Sequence, residues 1–157
     1  MRRIMFVCHG NICRSPMAEA VMQDIVNRAG KSGEYHIVSR ATSTEEIGNT
    51  IHYGTRRVLD REGIPYSHSK IAERVCDTDY DHYDLFVIMD SNNARNMRRI
   101  GDRFSVDKYD KVHLLMEYVG EMRDVADPWY TGDFESTYND VKRGCEALFC
   151  RLEGENN

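Results

Sequence analysis

The strongest constraint on the fold lies near the N-terminus, where a short apolar run leads into a glycine-containing loop and then a helix-forming segment. Residues 2–7 (RRIMFV) predict a buried β-strand, and the loop after them contains Gly10 and Asn11, which tolerate left-handed backbone. Pro16 stands where the first turn of a helix accepts proline, just before residues 17–22 (MAEAVM). A strand, a short loop and a helix in this order direct several backbone N–H groups and a helix N-terminus at one place. The segment therefore predicts an oxyanion site.

The rest of the chain alternates short apolar runs with helical patterns, which predicts an α/β fold with a parallel sheet. We expect four parallel strands with helices on both faces of the sheet. We expect a single domain over residues 1–157, because a chain of this length can bury one core but not two. The helix after the third strand is expected to have Ser91 or Asn92 as its N-cap. The later strands are expected at residues 35–39, 84–89 and 112–115, and further helices at residues 16–29, 53–62 and 133–152.

Cys8 ends the first predicted strand, and a parallel sheet places it at the carboxyl edge, where α/β proteins bind their ligands. A buried structural thiol is the ordinary interpretation of a free cysteine there. Two later residues favour a different role. Arg14 can direct two N–H groups onto the oxygens of a tetrahedral anion, and the Ser15 hydroxyl can hydrogen-bond the sulfur. A thiolate beside a phosphate-binding loop is what phosphoryl transfer through a phosphocysteine requires. We predict that Cys8 is such a nucleophile.

Residues 7–16, VCHGNICRSP, resemble the signature of the low-molecular-weight protein tyrosine phosphatases, V-C-x-G-N-x-C-R-S-P, at every fixed position. The resemblance extends over nearly the whole chain. It implies hydrolysis of a phosphotyrosine-containing protein or a small aryl phosphate, with inorganic phosphate as product and no metal or cofactor. It also implies that Cys8 is the nucleophile, Arg14 the phosphate clamp and Asp127 the general acid. The loop residues then expected to contact the substrate are His9, Gly10, Asn11, Ile12, Cys13 and Ser15.

Asp127 precedes Pro128, which disfavours helical geometry and predicts an extended loop conformation. A turn carboxylate is the plain interpretation of an Asp-Pro pair. The chemistry asks for more, because one carboxyl group must protonate the leaving phenolate and later activate the attacking water. Trp129 and Tyr130 follow directly. A core tryptophan is the ordinary interpretation of Trp129, but on such a loop both rings are expected to stack on the substrate's phenol ring.

The residues around the expected pocket depart from the family in one respect. Glu45 stands where the family often has an aromatic residue, and His9 stands where an apolar residue is common. The sequence therefore predicts a pocket rim that is more polar than usual.

A supporting hydrogen-bond network is also implied by the resemblance. Ser39 and His68 match positions that the family uses, together with Asn11 and Ser15, to hold the strained loop asparagine. Asp90 follows the third predicted strand. It can orient Arg14 or cap the next helix, and the residues alone leave both roles open.

Cys13 lies five residues after Cys8 in the same loop. This spacing differs from the Cys-x2-Cys of most zinc sites, so we expect no metal site. A reversible disulfide with Cys8 is better motivated, since a neighbouring thiol can trap a sulfenic acid before further oxidation.

Composition limits the partners. The formal net charge is −5, so the chain lacks the basic footprint of a nucleic-acid-binding protein. No run of 18 apolar residues occurs, which argues against a membrane span. The five cysteines are an odd number without the density of a secreted disulfide scaffold. We expect a cytoplasmic protein without nucleic-acid or membrane partners.

Three alternative functions fit the residues less well than a phosphotyrosine phosphatase does. An arsenate reductase of a related branch needs two nearby thiols in mid-chain, whereas Cys76 has no other cysteine near it. A non-catalytic phosphopeptide-binding module has no need of both Cys8 and Asp127. Phosphoarginine-specific relatives tend to have threonine where this chain has Ile12, and the larger side chain favours phosphotyrosine.

Overall fold

A four-stranded, all-parallel sheet forms the centre of the protein in a computed structural model that describes residues 1–101 and 110–155. The strands lie side by side in the order β2-β1-β3-β4. They are β1 (Arg2–Cys8), β2 (Tyr35–Ala41), β3 (Leu85–Ile88) and β4 (Val112–Leu114). The helices of the described residues are α1 (Arg14–Arg28), α2 (Tyr53–Arg61), α3 (Asp79–His82), α4 (Ser91–Ile100), α5 (Pro128–Thr131) and α6 (Phe134–Glu155).

The central strand β1 is buried from Ile4 to Cys8 because helices cover both faces of the sheet. Successive side chains of a strand point to opposite faces. Phe6 accordingly enters a core with residues of α1 and α6, while Met5 enters a second core with Met97 of α4. Burial on both faces is the reason that β1 has a continuous apolar run rather than an alternating pattern. The predicted α/β class, the four parallel strands and the helices on both faces are confirmed.

The sequence offers Asp90, Ser91 and Asn92 as caps of α4, and neither Ser91 nor Asn92 caps it. Asp90 is the N-cap: its Oδ1 accepts a hydrogen bond from the Asn93 backbone N–H at 2.8 Å. The Asn93 side-chain Oδ1 accepts in return from the Asp90 N–H at 3.1 Å, which completes a capping box. The helix begins one residue earlier than expected, so Ser91 already occupies its first turn.

Strand register brings the predicted site residues to one edge of the sheet. Cys8 pairs with Ala41 at the carboxyl end of β2, and Val7 pairs with Ile88 at the end of β3. The ends of the three strands therefore meet beside the loop that leads from β1 into α1. Among the described residues, no helix is long and apolar enough to cross a membrane.

Candidate active site

The loop between β1 and α1, residues 8–14, is here called the phosphate loop, and it wraps around the sulfur of Cys8. The Asn11 and Ser15 backbone N–H groups donate to Cys8 Sγ at 3.3 and 3.4 Å. The Ser15 Oγ lies 3.0 Å from the same sulfur. Cys8 is only 3% exposed, so these donors act where water screens little. Three donors converging on one sulfur favour a negative charge there.

Asn11 is the only non-glycine residue with positive φ among those the structure describes, at +59°. Its side chain is held from both ends. Nδ2 donates to Ser15 Oγ at 2.7 Å and to Ser39 Oγ at 2.9 Å, while Oδ1 accepts from Lys70 Nζ at 3.1 Å and Glu73 N at 3.3 Å. A left-handed residue persists when its surroundings determine its conformation in this way. The network therefore fixes the shape of the phosphate loop.

The other bonds of this network determine the direction of the hydrogen bond between Ser15 Oγ and Cys8 Sγ. Ser39 Oγ donates to the Glu19 carboxylate at 2.7 Å, so its lone pair is free to accept from Asn11. The two amide protons of Asn11 are donated to Ser39 Oγ and Ser15 Oγ. Because Ser15 Oγ accepts from Asn11, its own proton is available for Cys8 Sγ. Cys8 Sγ is therefore the last acceptor in a chain of hydrogen bonds that runs from Asn11 through Ser15, and an accepting sulfur favours the thiolate.

The structure does not bring His68 into this network. His68 is exposed and packs against Tyr66 at a tilt, with ring centroids 4.7 Å apart and planes 38° apart. Lys70 takes the expected place, because its ammonium has three donors and reaches Asn11 Oδ1 and the Ser39 carbonyl. Burial lowers the pKa of Lys70, and the nearby Glu19 carboxylate partly offsets this. Burial raises the pKa of Glu19 in turn.

Arg14 is 2% exposed and is oriented by bonds within the protein. Its Nη1 donates to Asp90 Oδ2 at 2.8 Å and to the Val125 carbonyl at 2.9 Å, and Nη2 donates to Asp127 Oδ2 at 3.3 Å. These contacts use three of the five guanidinium protons and leave Nε–H and one Nη2–H for an anion. Burial lowers the pKa of Arg14, but Cys8 and Asp127 outweigh it and the net shift is upward. Arg14 is therefore a permanent cation.

Asp90 performs both of the roles that the sequence left open. One carboxylate oxygen accepts from Arg14, and the other caps α4.

Asp127 is a capping carboxylate that also faces the phosphate loop. Its backbone is extended (φ −81°, ψ 113°), as expected before Pro128, and its Oδ1 caps α5 by accepting from Trp129 N at 3.0 Å. Its Oδ2 contacts Arg14, and the side chain is 23% exposed. We call residues 126–132 the acid loop. It places one carboxylate beside the phosphate loop with a face toward solvent.

A pocket opens above the phosphate loop. Its rim carries Trp129 and Tyr130, which are 56% and 81% exposed, and a hydrogen-bonded pair in which His9 Nε2 lies 3.0 Å from Glu45 Oε2. The polar rim that the sequence predicts is present. Ser15, which we expected to contact the substrate, is fully buried and is not among the residues that line the pocket. The residues that line the pocket are Cys8, His9, Gly10, Asn11, Ile12, Cys13, Arg14, Glu45, Glu46, Asp127, Trp129 and Tyr130.

All five cysteines are free thiols. Cys13 is buried in the phosphate loop, and burial, reinforced by Cys8 and Asp127, raises its pKa to about 12. Cys13 is therefore a neutral thiol at physiological pH. In the described part of the chain, no group of three or more His, Cys, Asp or Glu residues is arranged to hold a metal ion.

Several residues of the site were missed from the sequence. Glu19 lies in the second turn of α1, Lys70 is one of five lysines and belongs to no motif, and Val125 contributes only its carbonyl oxygen to Arg14. A backbone acceptor leaves no side-chain signal at all. The polar Glu19 among the apolar residues of α1 is the one signal that pointed inward.

A parallel α/β sheet with a cysteine at the centre of an anion-binding loop defines a cysteine-dependent phosphoryl-transfer enzyme. The sequence matches the low molecular weight phosphotyrosine protein phosphatase family over residues 3–157. It is 36% identical over 157 residues to the low molecular weight protein-tyrosine-phosphatase YfkJ of Bacillus subtilis, with 99% of this chain and 98% of the relative covered. It is also 36% identical over 150 residues to the human low molecular weight phosphotyrosine protein phosphatase, covering 94% and 93% of the two chains.

Solved structures agree. The crystal structure of YfkJ has a TM-score of 0.93 and covers 100% of this chain and 98% of that chain. That of SP-PTP, a low molecular weight protein tyrosine phosphatase from Streptococcus pyogenes, is 42% identical with a TM-score of 0.86, covering 97% and 93%. The chain belongs to the low molecular weight phosphotyrosine protein phosphatase family, and the resemblance read from its sequence is confirmed.

Proposed function

We propose that the protein hydrolyses phosphotyrosine through a phosphocysteine intermediate. One observation carries this proposal: the Cys8 sulfur, the two unspent N–H groups of Arg14 and the Asp127 carboxylate share one pocket. A nucleophile, an anion clamp and an acid are the three parts that the reaction needs.

In the first step, the Cys8 thiolate attacks phosphorus, and the bond between phosphorus and the phenolic oxygen breaks. Phosphate-loop amides and Arg14 bind the phosphoryl oxygens, where charge builds up in the transition state. Asp127 enters protonated and gives its proton to the leaving phenolate oxygen. The products of this step are the phenol and phosphocysteine.

In the second step, water attacks the phosphocysteine and Asp127 accepts the proton that the water loses. The bond between phosphorus and sulfur breaks, and the electron pair returns to Cys8 as a thiolate. The Ser15 hydroxyl is placed to donate to that sulfur as it departs. Inorganic phosphate is the product, and Asp127 is again protonated.

The substrate class follows from the rim and from the relatives. Trp129 and Tyr130 offer exposed rings that can flank a phenol ring, and Ile12 adds an apolar side chain to the pocket lining. Relatives over the full length of the chain are named phosphotyrosine phosphatases. We therefore favour phosphotyrosine over phosphoarginine. We place the enzyme in the cytoplasm, where reducing conditions keep the Cys8 thiol active.

Turnover of p-nitrophenyl phosphate, a phosphotyrosine peptide, phosphoarginine and arsenate, measured side by side, tests the proposal. We expect hydrolysis of the aryl phosphates and little reaction with the other two. In Cys8→Ser, turnover should disappear while inorganic phosphate still binds, because a serine hydroxyl is not ionised in the same loop. Cys150→Ser, a change at an exposed thiol outside the pocket, is the matched control and should keep full activity. Substantial turnover by Cys8→Ser would refute the covalent mechanism, and preferred turnover of phosphoarginine would refute the substrate class.

A further inference from the structure

His52 lies between the phosphate loop and α2, a position that nothing in the sequence analysis marked. Its backbone N–H donates to the Ile12 carbonyl at 2.8 Å, and its ring Nδ1 accepts from the Gly54 N–H at 3.0 Å. His52 is thus the N-cap of α2. One turn later, Thr55 Oγ1 donates to the Cys13 carbonyl at 3.1 Å. The start of α2 is therefore bound to two consecutive carbonyls of the phosphate loop.

The ring of His52 also contacts two aromatic residues, one within the acid loop and one just after it. Phe134 stacks on it with centroids 5.1 Å apart and planes 15° apart, and Trp129 meets it edge-on at 5.7 Å. Gly54 is required for this packing, since a Cβ there would lie 2.5–2.7 Å from three ring atoms of Phe134. Trp129 and Phe134 lie on either side of the end of the acid loop, so one imidazole contacts both.

The hydrogen bond from Gly54 defines the protonation state of His52. Nδ1 is an acceptor, so the ring is neutral and carries its proton on Nε2. Burial lowers the pKa of His52, Arg56 lowers it further, and Glu46 acts in the opposite direction. Tyr53, which stacks on the ring at 4.6 Å, is the other titratable neighbour. A neutral ring can cap α2 and stack on Phe134 at the same time.

We propose that His52 is a positioning residue that couples the phosphate loop to the acid loop. Asp127 Oδ1 is bonded to the backbone N–H of Trp129, so a shift of Trp129 moves the carboxylate. The backbone N–H of His52 donates to the Ile12 carbonyl, so His52 is also bonded to the loop that holds the phosphate. His52 thereby sets the distance between the acid and the leaving oxygen. The inference rests on the proposed function, in which Asp127 protonates the leaving phenolate.

Two substitutions separate the contacts of His52. His52→Asn keeps an N-cap acceptor and removes the ring, whereas His52→Phe keeps a ring and removes the acceptor. We expect His52→Asn to lower kcat for phenyl phosphate about tenfold, and kcat for p-nitrophenyl phosphate by less than about twofold, because a displaced acid matters most for a poor leaving group. His52→Phe should keep the wild-type ratio of the two kcat values and lower Tm. The matched control is His36→Asn, which removes a histidine of β2 that stacks on Tyr83, and it should leave both kcat values unchanged.

A second measurement needs no turnover. Trp129 is the only tryptophan, so its fluorescence reports on the acid loop alone. In His52→Asn, its emission should move to longer wavelength and acrylamide should quench it more strongly than in the wild type. Phe134→Leu, which removes the ring stacked on His52, should produce the same changes if His52→Asn does not fold.

The outcomes separate this inference from the proposed function. An unchanged kcat ratio, or an unchanged Trp129 emission, in a folded His52→Asn would overturn the positioning role. Failure of the proposed function is seen elsewhere, as absent turnover in the wild type or as equal slowing of both substrates in Asp127→Ala. The fluorescence measurement then still decides whether His52 positions Trp129.

Discussion

The two sides of the pocket are built differently. On the phosphate-loop side, the residues are buried and cross-bonded: the Asn11 side chain makes four hydrogen bonds, and the residue is 1% exposed. On the acid-loop side, Trp129 and Tyr130 are largely exposed, and α5 is only four residues long. The chemistry of the phosphate is thus placed on a rigid support, and the recognition of the rest of the substrate on a surface with few constraints.

This contrast implies that substitutions on the two sides have different signatures. Changes in the phosphate loop should affect every substrate alike, because all substrates share the phosphate. Changes around the acid loop should depend on the leaving group or on the substrate's ring.

The largest effect that would sharpen the contrast is expected for Arg14→Lys. An ammonium keeps the positive charge but cannot supply two N–H groups in one plane or maintain three internal bonds. We expect kcat/KM to fall by about 10³ or more for all aryl phosphates, in steady-state assays of protein shown to be folded by circular dichroism. A loss that varied strongly with the leaving group would contradict the division between the two sides.

The next effect concerns Asp127→Ala. We expect kcat to fall about 10²-fold for phenyl phosphate and far less for p-nitrophenyl phosphate, since a good leaving group departs without a proton. The matched control is Asp124→Ala, which removes a nearby acid outside the pocket whose carboxylate accepts from the Ser91 N–H. Equal slowing of both substrates in Asp127→Ala would place the general acid elsewhere.

A third test uses oxidation to compare two thiols of the buried side. Peroxide is expected to convert Cys8 to a sulfenic acid, which Cys13 then attacks, so that a disulfide forms and water leaves. Cys13 itself is protected as a neutral thiol, since its pKa is raised to about 12. A thiol reductant should restore most of the activity of the oxidised wild type. In oxidised Cys13→Ser, the activity that it recovers should be about tenfold smaller. Peptide mapping that finds Cys8 joined to Cys76, or no bridge at all, would overturn this mechanism.

A smaller effect is expected from the support of Asn11. Lys70→Met removes the ammonium that donates to Asn11 Oδ1 and keeps most of the side-chain length. We expect kcat/KM to fall about fivefold for all substrates, the cost of about one hydrogen bond. His68→Asn, two residues earlier in the same segment, should have no effect, because His68 is exposed and its ring contacts Tyr66 instead. The reverse pattern would restore His68 to the network.

The smallest expected effect is the pH dependence of stability due to His52. Burial first, and then Arg56, holds its folded pKa below the ordinary 6.5, so the unfolded chain takes up the proton first as pH falls. The stability from neutral His52 is complete above the ordinary value and is lost as pH falls through the lower folded value. Between about pH 7.5 and 5.5, Tm of the wild type should fall more than that of His52→Asn, by less than about 2 °C. Parallel pH curves would contradict the neutral ring.

The sequence predicts the contiguous parts of the site better than the contacts that distant parts of the chain supply. The positions of Cys8 and Arg14 follow from a strand, a short loop and a helix that are contiguous in the chain. The support of Asn11 is not local, because Lys70 reaches it from 59 residues away. His68 and Lys70 are only two residues apart, and the path of the chain around them decides which of the two side chains reaches Asn11. No periodic pattern in the sequence predicts that path. The role of His52 was missed for the same reason, since its partners Trp129 and Phe134 come from the far end of the chain.

The shared use of Asp90 has a consequence for the enzyme's response to its own product. Because Asp90 is held by the N-terminus of α4, the guanidinium of Arg14 is oriented when the chain folds, before any anion arrives. Binding then avoids most of the rotamer entropy of a free arginine, about 2 kcal/mol. The same saving applies to inorganic phosphate as to a phosphate ester. Inorganic phosphate therefore competes with the substrate for this site, and phosphate in the surroundings slows the enzyme without any separate regulatory site.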